Sequence, residues 1–546
     1  MGDLAPATVE TTHSKPDTRM SVPENPYSGP SLVLVFAVIF AVVCLLHTPL
    51  LRLPYFWDEA GYYVPAARDL LLTGSVIPHS VPSNAHPPLV MAWLALAWKL
   101  GGFSPLVTRI AMLAVAAFAL LGELRLAMRV ANFQVAVAAT LCTALYPVFF
   151  AQSALAHVDL AAGGLTFWAL DSYLGGRSLK AALWFSLAVL AKETAILAPV
   201  ALLLWEWVCP WIGGFCGREL RLRPTGWSHS ASLLAPVLVL GFWYAYHDAR
   251  TGYVFGNPDF FRYNVGTTIN PLRVLLALGM RAWQSFGYLH LWVLTLLMAW
   301  AMTRPPWRHG DTVRPRIAVP VQLAFGVVIL AYVTGLAVVG GAVLARYMLP
   351  AVPLVVILTV STLWRRMTHW SAVIAIGCAA FVAGWYWNPP YGFSPEDNLA
   401  YRDYIEMHQD AARFLERRYP AARVLTAWPA SDEISCPYLG YVVRPLRVAR
   451  IRDFTVEEIM ATTEKRSRFD VALVFSTKYE PPHPLLANQP WLEGVKTRLF
   501  DFHRDLLPEV IAGLLGGHVV MREARTGQWI ALIELERLED ARVERR

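Results

Sequence analysis

Apolar segments of about bilayer length dominate residues 31–387, and they constrain the fold more than any other feature of the chain. A helix needs about 20 apolar residues to cross ~30 Å of hydrocarbon. Because the bilayer core offers no water to backbone N–H and C=O groups, a crossing segment must satisfy them internally, as a helix does. The sequence predicts eleven membrane-spanning helices, over residues 31–50, 105–124, 135–156, 160–174, 178–190, 194–208, 229–246, 286–302, 319–338, 343–364 and 370–387.

Charged residues are scarce in this chain. They make up 16% of the sequence and hydrophobic residues 56%, whereas a soluble chain carries closer to ~25% charge. The net charge of +7 is explained by arginines in cytoplasmic loops that orient the helices. The composition therefore predicts a membrane protein and gives no indication of a nucleic-acid partner.

The orientation of the helices depends on one further apolar segment, residues 87–100. If this short segment does not cross the membrane, every basic loop cluster falls on the cytoplasmic side, as the positive-inside rule requires. We therefore expect it to lie along the outer face of the membrane. Residues 59–73, with apolar side chains at four-residue spacing and Gly74 as a C-cap, predict a second interfacial helix.

Composition divides the chain into three parts. Residues 1–30 are polar and Pro-rich, which predicts a disordered cytoplasmic tail. Residues 31–388 hold the predicted membrane domain. Residues 389–546 alternate strand-like and helix-like segments, which predicts a soluble α/β domain on the outer side. The predicted strands cover residues 424–428, 441–448, 469–475, 519–523 and 529–535, and the predicted helices cover 401–419 and 456–463.

Two adjacent acids, Asp58 and Glu59, directly follow the first apolar segment. A carboxylate at a bilayer boundary carries a solvation cost unless a metal, a cation or a water-filled cavity receives it. The predicted topology brings Asp159 to the same outer face. A carboxylate near a hydroxyl or an amine can act as a general base. We therefore predict Asp58, Glu59 and Asp159 as catalytic residues, with Asp58 as the leading candidate.

The same face is predicted to carry two histidines, His86 and His157. Carboxylate oxygens suit a hard cation, and imidazole nitrogens shift the preference toward zinc or manganese. Asp58, Asp159, His86 and His157 are thus candidate ligands for Mn, Mg or Zn. A structural alternative stays open for three of them, since Asp58 can be an ordinary interfacial charge, His86 precedes two prolines and Asp159 can N-cap a helix.

The order of these motifs resembles a known superfamily. Asp58-Glu59 follows the first span, H-P-P-L begins at His86, an Asp follows the third span, K-E stands at Lys192, and A-R-Y-M-L-P-A-V-P covers residues 345–353. The set resembles the GT-C membrane glycosyltransferases. It is most similar to the family 39 branch, which includes protein O-mannosyltransferases and the bacterial lipid A aminoarabinose transferase.

The resemblance implies a hexosyl or pentosyl transfer, with inversion, from a polyprenyl-phosphate sugar to a lipid, glycan or protein acceptor on the outer face. Asp58 would be the base or a metal-linked acid. Arg346 and Tyr347 would meet the donor phosphate, together with Lys192 and, as a looser match, Arg262. The aminoarabinose transferases have Lys in place of His86, so the sugar and the acceptor stay open.

Two other function classes fit parts of the pattern. A secondary transporter would use Asp58, Asp159 and Lys192 as ion or substrate ligands, although neither the D-E nor the R-Y-x-L-P segment is repeated. A non-catalytic scaffold would bind a partner through residues 389–546. Within the glycosyltransferase hypothesis, we expect a bacterial inner-membrane protein whose active site and C-terminal domain face the periplasm.

Overall fold

A computed structural model describes residues 31–216, 220, 222, 227–266, 268–339, 341–463, 468–483 and 489–536. The tail predicted over residues 1–30 lies outside these ranges. In the described part, sixteen α-helices, α1 to α16, precede residue 387: Leu32–Leu46, Val64–Thr73, Leu89–Gly101, Pro105–Val130, Phe133–Leu145, Pro147–Ala154, Asp159–Leu174, Ser178–Ala191, Leu197–Cys216, Trp227–Thr251, Pro258–Phe261, Pro271–Phe286, Leu291–Met302, Val319–Val338, Val352–Arg366 and Trp370–Tyr386.

Four helical segments of the described chain are long and apolar enough to cross a membrane, consistent with an integral membrane protein. They are Pro105–Val130, Glu193–Gly214, Pro271–Met302 and Val319–Val338. The predicted span 135–156 is instead two helices, α5 and α6, that meet at an angle of 68°. Pro147, the first residue of α6, has no N–H to continue the ladder of hydrogen bonds, so the chain bends there.

Several other predicted spans are shorter in the structure than in the sequence. The predicted span 343–364 begins with a 3₁₀ turn, Ala345–Met348, and its α-helix α15 starts only at Val352. Helix α7 agrees with the predicted span 160–174, and nearly all of its 16 residues are buried by protein. It packs closely on α4, where a Cβ on Gly164 would lie 2.6 Å from the Cβ of Ala119. Small residues permit such close approach of helices.

The two helices predicted for the outer face are confirmed as helices. Residues 59–73 form a π-helical turn, Glu59–Tyr63, that continues as α2. The helix ends at Gly74 with a φ of 74°, a left-handed conformation that glycine adopts without steric cost. Helix α3 begins just after the two prolines and has 13 residues, fewer than a crossing requires.

The C-terminal part holds a five-stranded sheet. After a short hairpin of β1 (Arg308–His309) and β2 (Thr312–Val313), the chain forms α17 (Ala400–Arg418), β3 (Arg423–Ala427), α18 (Ala430–Ser435), β4 (Arg447–Ile451), α19 (Val456–Thr463), β5 (Val471–Phe475), α20 (Pro490–Phe500), α21 (Pro508–Leu515), β6 (Gly517–Arg525) and β7 (Gln528–Leu535). The strand order is β4-β3-β5-β7-β6. Strands β4, β3 and β5 are parallel, whereas β7 runs antiparallel to β5 and β6.

The predicted strands agree with the observed sheet except for one. The predicted terminal hairpin is confirmed as β6 and β7. The predicted strand 441–448 is wrong, because β4 covers Arg447–Ile451. Pro445 interrupts the predicted segment, and proline cannot donate a ladder hydrogen bond. The strand therefore begins only after it.

The sheet and the helical part share one apolar core. It contains Tyr55 and Phe56 from the first loop, Tyr401 and Tyr404 from α17, and the buried strands of the sheet. The Phe56 ring meets the Tyr404 ring edge-on at 5.1 Å. The C-terminal part is thereby fixed against the loop that carries the predicted catalytic acids.

Candidate active site

A large cavity of about 2090 Å³ lies where the first loop, the outer helices and the C-terminal part meet. Five residues predicted from sequence line it: Asp58, His86, Lys192, Arg346 and Tyr347. The structure thus brings together residues that are up to 289 positions apart in the chain.

Arg346 is the centre of the charged network. It lies on the 3₁₀ turn between α14 and α15 and is 2% exposed. Its guanidinium donates hydrogen bonds to the carboxylates of Asp58 and Glu396. Its Nε lies 3.3 Å from Oδ2 of Asp159. A buried cation needs such partners, since desolvation of an unpaired charge costs several kcal/mol.

Asp58 is the most accessible of the three acids around Arg346. Its side chain is 30% exposed, whereas those of Asp159 and Glu396 are 1% and 3% exposed. The preceding residue, Trp57, has a φ of 40°, in a region that bulky residues rarely occupy. Trp57 is held there by edge-on contacts of its ring with Tyr404 at 5.6 Å and with Trp428 at 5.5 Å. The packing therefore holds a strained backbone that presents Asp58 to the cavity.

Glu59, which the sequence predicts as a catalytic residue, does not line the cavity. Its fully buried carboxylate pairs with the equally buried Arg109. It also accepts a hydrogen bond of 2.8 Å from the backbone N–H of Phe56. Glu59 thus fixes the loop on which Asp58 lies and has no access to a ligand in the cavity.

Asp159 holds the two cations of the site. Lys192 Nζ donates a hydrogen bond to its Oδ1, and Arg346 lies beside its Oδ2. Asp159 does not line the cavity, but Lys192 and Arg346 do. Lys192 Nζ also lies 3.7 Å from the centre of the Tyr347 ring. Asp159 and Tyr347 therefore position positive charge on the cavity wall.

Arg262 is not part of the site, contrary to the sequence prediction. Its side chain is 78% exposed, and its partner is Asp259 at 4.0 Å. Arg281, which was not predicted, lies closer to the site: its guanidinium carbon is 5.4 Å from the centre of the Tyr347 ring, although Arg281 itself does not line the cavity. Arg281 is buried and donates a 2.7 Å hydrogen bond to the carbonyl of Leu344. Its position within an apolar helix gave no reason to select it from sequence.

The sequence analysis also missed two acids, Glu396 and Asp397. They lie on a turn, Pro395–Asp397, that follows the last apolar helix. The Tyr288 hydroxyl donates a 2.6 Å hydrogen bond to Asp397. Burial raises the pKa of Glu396 to about 8 and that of Asp397 to about 7. Glu396 and Asp397 form an acidic pair after the last predicted span, as Asp58 and Glu59 do after the first. This pattern was the signal that could have identified them.

The two candidate histidines occupy different surroundings. His86 Nδ1 lies 3.1 Å from Oε2 of Glu193, on the cavity wall. His157 is fully buried, with Nδ1 2.7 Å from Oε1 of Gln152. Burial, reinforced by the charge of Arg346, keeps the pKa of His157 well below its usual range. His157 is therefore a neutral imidazole.

A possible cation site differs from the predicted one. Ligand atoms of Asp58, His157 and Glu396 lie within 4.8 Å of one another and could hold a metal ion. His86 and Asp159 lie outside this group, which corrects the predicted ligand set, because Glu193 and Lys192 are their partners. The Arg346 guanidinium already contacts all three members of the group. A divalent ion bound to these three residues would take the place of the Arg346 guanidinium, so the two are alternative partners of the same ligand atoms.

The arrangement can bind an anion and accept a proton next to it. Lys192 and Arg346 provide donors on the cavity wall, and such donors stabilise an oxyanion in a low-dielectric site. Asp58 is the accessible carboxylate beside them. Two acids that do not line the cavity keep these residues in position. Asp159 pairs with Lys192 and Arg346, and Glu59 fixes the loop that carries Asp58.

Comparison with solved structures identifies the fold. The chain is similar to ArnT from Cupriavidus metallidurans bound to undecaprenyl phosphate, at 14% identity and a TM-score of 0.51, over 92% of this chain and 97% of that one. The apo form of that protein matches at 15% identity and a TM-score of 0.50, over 92% and 98%. An oligosaccharyltransferase of Archaeoglobus fulgidus with Zn and sulfate matches at 13% identity and a TM-score of 0.45, over 81% and 67%.

No protein-family model matches the sequence, and no curated protein matches it. The likeness to ArnT extends over almost the full length of both chains. It confirms the GT-C fold that the order of the motifs predicts.

Proposed function

We propose that this GT-C-fold chain is a membrane glycosyltransferase that transfers a sugar from a polyprenyl phosphate to an acceptor on the outer face. The observation that carries the proposal is the contact between Arg346 and Asp58 on the wall of one cavity. A phosphate leaving group needs a fixed cation, and an attacking hydroxyl or amine needs a base nearby. The similar ArnT structure holds undecaprenyl phosphate, which is a donor carrier of this class.

The proposed reaction is a single displacement with inversion. The acceptor oxygen or nitrogen attacks the anomeric carbon and forms the new glycosidic bond, while Asp58 takes the proton that the acceptor loses. The bond from the anomeric carbon to the phosphate oxygen breaks, and its electron pair stays on the phosphate. Arg346 and Lys192 stabilise the charge that develops there.

The cavity also suits the prenyl chain of the donor. Part of its wall is apolar, formed by helices α10, α12 and α14 and by the segment between α10 and α12: Tyr244, Phe255, Phe260, Leu276, Leu336 and Val339. An isoprenoid bound there contributes binding energy remote from the reacting carbon. A hydrophobic carrier and a charged head are thus accommodated in one continuous space.

The finer expectations on topology belong to this proposal. Eleven crossings would place the first loop and residues 389–546 together on the periplasmic side of a bacterial inner membrane. Lipid, glycan and protein acceptors all remain compatible with the site, and so do hexosyl and pentosyl donors. A divalent cation held by Asp58, His157 and Glu396 in place of Arg346 would stabilise the same phosphate charge.

The proposal is tested by comparing Asp58→Asn with the wild-type protein. The substitution retains the volume of the side chain and its contact with Arg346 but removes the base, so a loss of about 10²–10⁴-fold in transfer is expected. Transfer is measured by mass spectrometry of membrane lipids, glycans and proteins from cells that carry either form. Asp248→Asn, an exposed acid outside the cavity, is the matched control. Full transfer by the Asp58→Asn protein would refute the assignment of the base.

A further inference from the structure

The C-terminal sheet has a topology that predicts a ligand crevice. Strand β3 lies in the middle of three parallel strands, with β4 on one side and β5 on the other. The connection that follows β3 leads to β4 on one side, whereas the connection that follows β5 leads to the strands on the other side. The two connections therefore leave the sheet in opposite directions between β3 and β5. In open α/β sheets, ligands bind outside the carboxyl ends of the strands at such a reversal.

The carboxyl ends of β3 and β5 open into the cavity of the candidate active site. The two strands are in register at Val424 and Val471, so their last residues lie side by side. The residues that follow are Trp428 after β3 and Ser476 and Thr477 after β5, and all three line the cavity. The crevice of the sheet and the site around Asp58 therefore form one space.

Trp428 is an uncovered aromatic face within this space. Its side chain is 39% exposed, although it lies on a cavity wall. Its ring meets that of Trp57 at 5.5 Å with an interplanar angle of 82°, so the two indoles form a corner. Trp57 directly precedes Asp58, and Asp58 contacts Arg346. The order along the wall is thus cation, carboxylate and indole corner.

We propose that the crevice formed by Trp428, Trp57, Ser476 and Thr477 binds a sugar ring of the acceptor, a proposal that rests on the proposed glycosyl transfer. A pyranose has an apolar face of C–H groups that packs on an indole, while its hydroxyls need neutral polar partners at the edge. Inversion puts the acceptor on the side of the anomeric carbon opposite the phosphate. The indole corner adjoins Asp58 through Trp57, and Arg346 contacts Asp58 directly.

The polar groups of the crevice agree with a neutral ligand. The Thr477 hydroxyl and Gln528 are polar and uncharged, and Gln528 also lines the cavity. Farther along the same wall, Glu493 lies 3.0 Å from Lys496 and 3.5 Å from Arg504. These two cations are therefore paired with an acid. The four side chains that form the crevice, Trp428, Trp57, Ser476 and Thr477, are themselves uncharged.

A binding experiment tests the crevice without requiring transfer. The full-length protein in phospholipid nanodiscs is examined by saturation-transfer difference NMR with the methyl pyranosides of glucose, galactose, mannose and N-acetylglucosamine. We expect signals from at least one pyranoside and a loss of about tenfold in Trp428→Ala, which is the effect of one aromatic contact. Trp491→Ala, which removes a 64% exposed indole outside the cavity, should retain the signals.

A second variant guards against misfolding of Trp428→Ala. A Cβ on Gly61 would lie 2.3 Å from Nε1 of Trp428. Gly61→Ala therefore displaces the indole ring without replacing the tryptophan. We expect the same loss of signal, with unchanged elution in size-exclusion chromatography. Absence of signal from every pyranoside in the wild-type protein, or equal signals in all variants, would overturn the proposal.

Transfer kinetics then distinguish acceptor from donor. In assays with a membrane-glycan extract, Trp428→Ala should raise the apparent KM for the extract about tenfold and leave the donor KM within about twofold. A rise in the donor KM alone would assign the ring to the donor and overturn the proposal. Absence of transfer in the wild-type protein would overturn the proposed function, while the pyranoside signals would still decide whether the crevice binds sugar.

Discussion

The guanidinium of Arg346 donates a hydrogen bond to the carboxylate of Asp58, a residue that lies 288 positions earlier in the chain. Both groups reach the same cavity. This contact joins the loop after the first apolar helix to the turn before α15. The predictions below test what this pair and its neighbours do.

Arg346 and Arg262 are predicted to differ in their effect on phosphate binding. Arg346→Lys keeps the charge but loses the planar fork that serves several oxygens at once, so the affinity for undecaprenyl phosphate should fall about tenfold or more. Arg262→Lys, at an exposed site, should leave it unchanged. Native mass spectrometry with undecaprenyl phosphate measures both. An equal effect of the two substitutions would contradict the geometry of the site.

Glu59→Gln is predicted to weaken folding more than chemistry. The substitution leaves Arg109 as a buried cation without its charged partner, and breaking a buried pair costs about 3–5 kcal/mol. We expect an apparent Tm lower by several degrees than that of Glu457→Gln, an exposed acid on α19. Thermal unfolding in one detergent provides the measurement. A wild-type Tm together with lost transfer would instead support a catalytic role of Glu59.

The stability of the protein is predicted to depend on pH through Asp397. Burial raises the pKa of Asp397 from 3.8 to about 7, so between these values the folded state binds more protons than the unfolded state. Unfolding free energy therefore falls as pH rises from about 4 to 7. Asp397→Asn removes this proton uptake, and its Tm curve should be flatter. Tm is recorded against pH for the wild-type protein and for Asp397→Asn, from pH 5 to about 8, and the difference between the two curves gives the contribution of Asp397. Parallel curves would refute the prediction.

The proposed topology is tested by labelling from one side of the membrane. In a Cys436→Ser background, Ser80→Cys on the exposed segment before α3 should react with an impermeant maleimide from the periplasmic side. Asp311→Cys, in the short hairpin between α13 and α14, should react only after the membrane is permeabilised. Both loops are exposed to solvent. Labelling of both positions in intact cells would show that the assumed orientation is wrong.

Local sequence signals determined much of the secondary structure. Gly74 ends the first outer helix because its left-handed φ is a local property of glycine. The strand alternation around residues 517–535 specifies the β6–β7 hairpin in the same way. Where the prediction failed, at β4 and within residues 135–156, a proline acted on its immediate neighbours.

The positions of the site residues were decided by tertiary structure. The sequence placed Asp58 and Glu59 side by side with equal chemistry, and only packing separated them, since Glu59 is buried against Arg109 while Asp58 lies on the cavity wall. Packing likewise brought Glu396 and Arg281 to the cluster and left Arg262 outside it. Apolar length and periodicity depend on neighbours in the chain, so the sequence determined them. The partner of a buried charge is set by contacts between distant segments, and no local pattern specifies it.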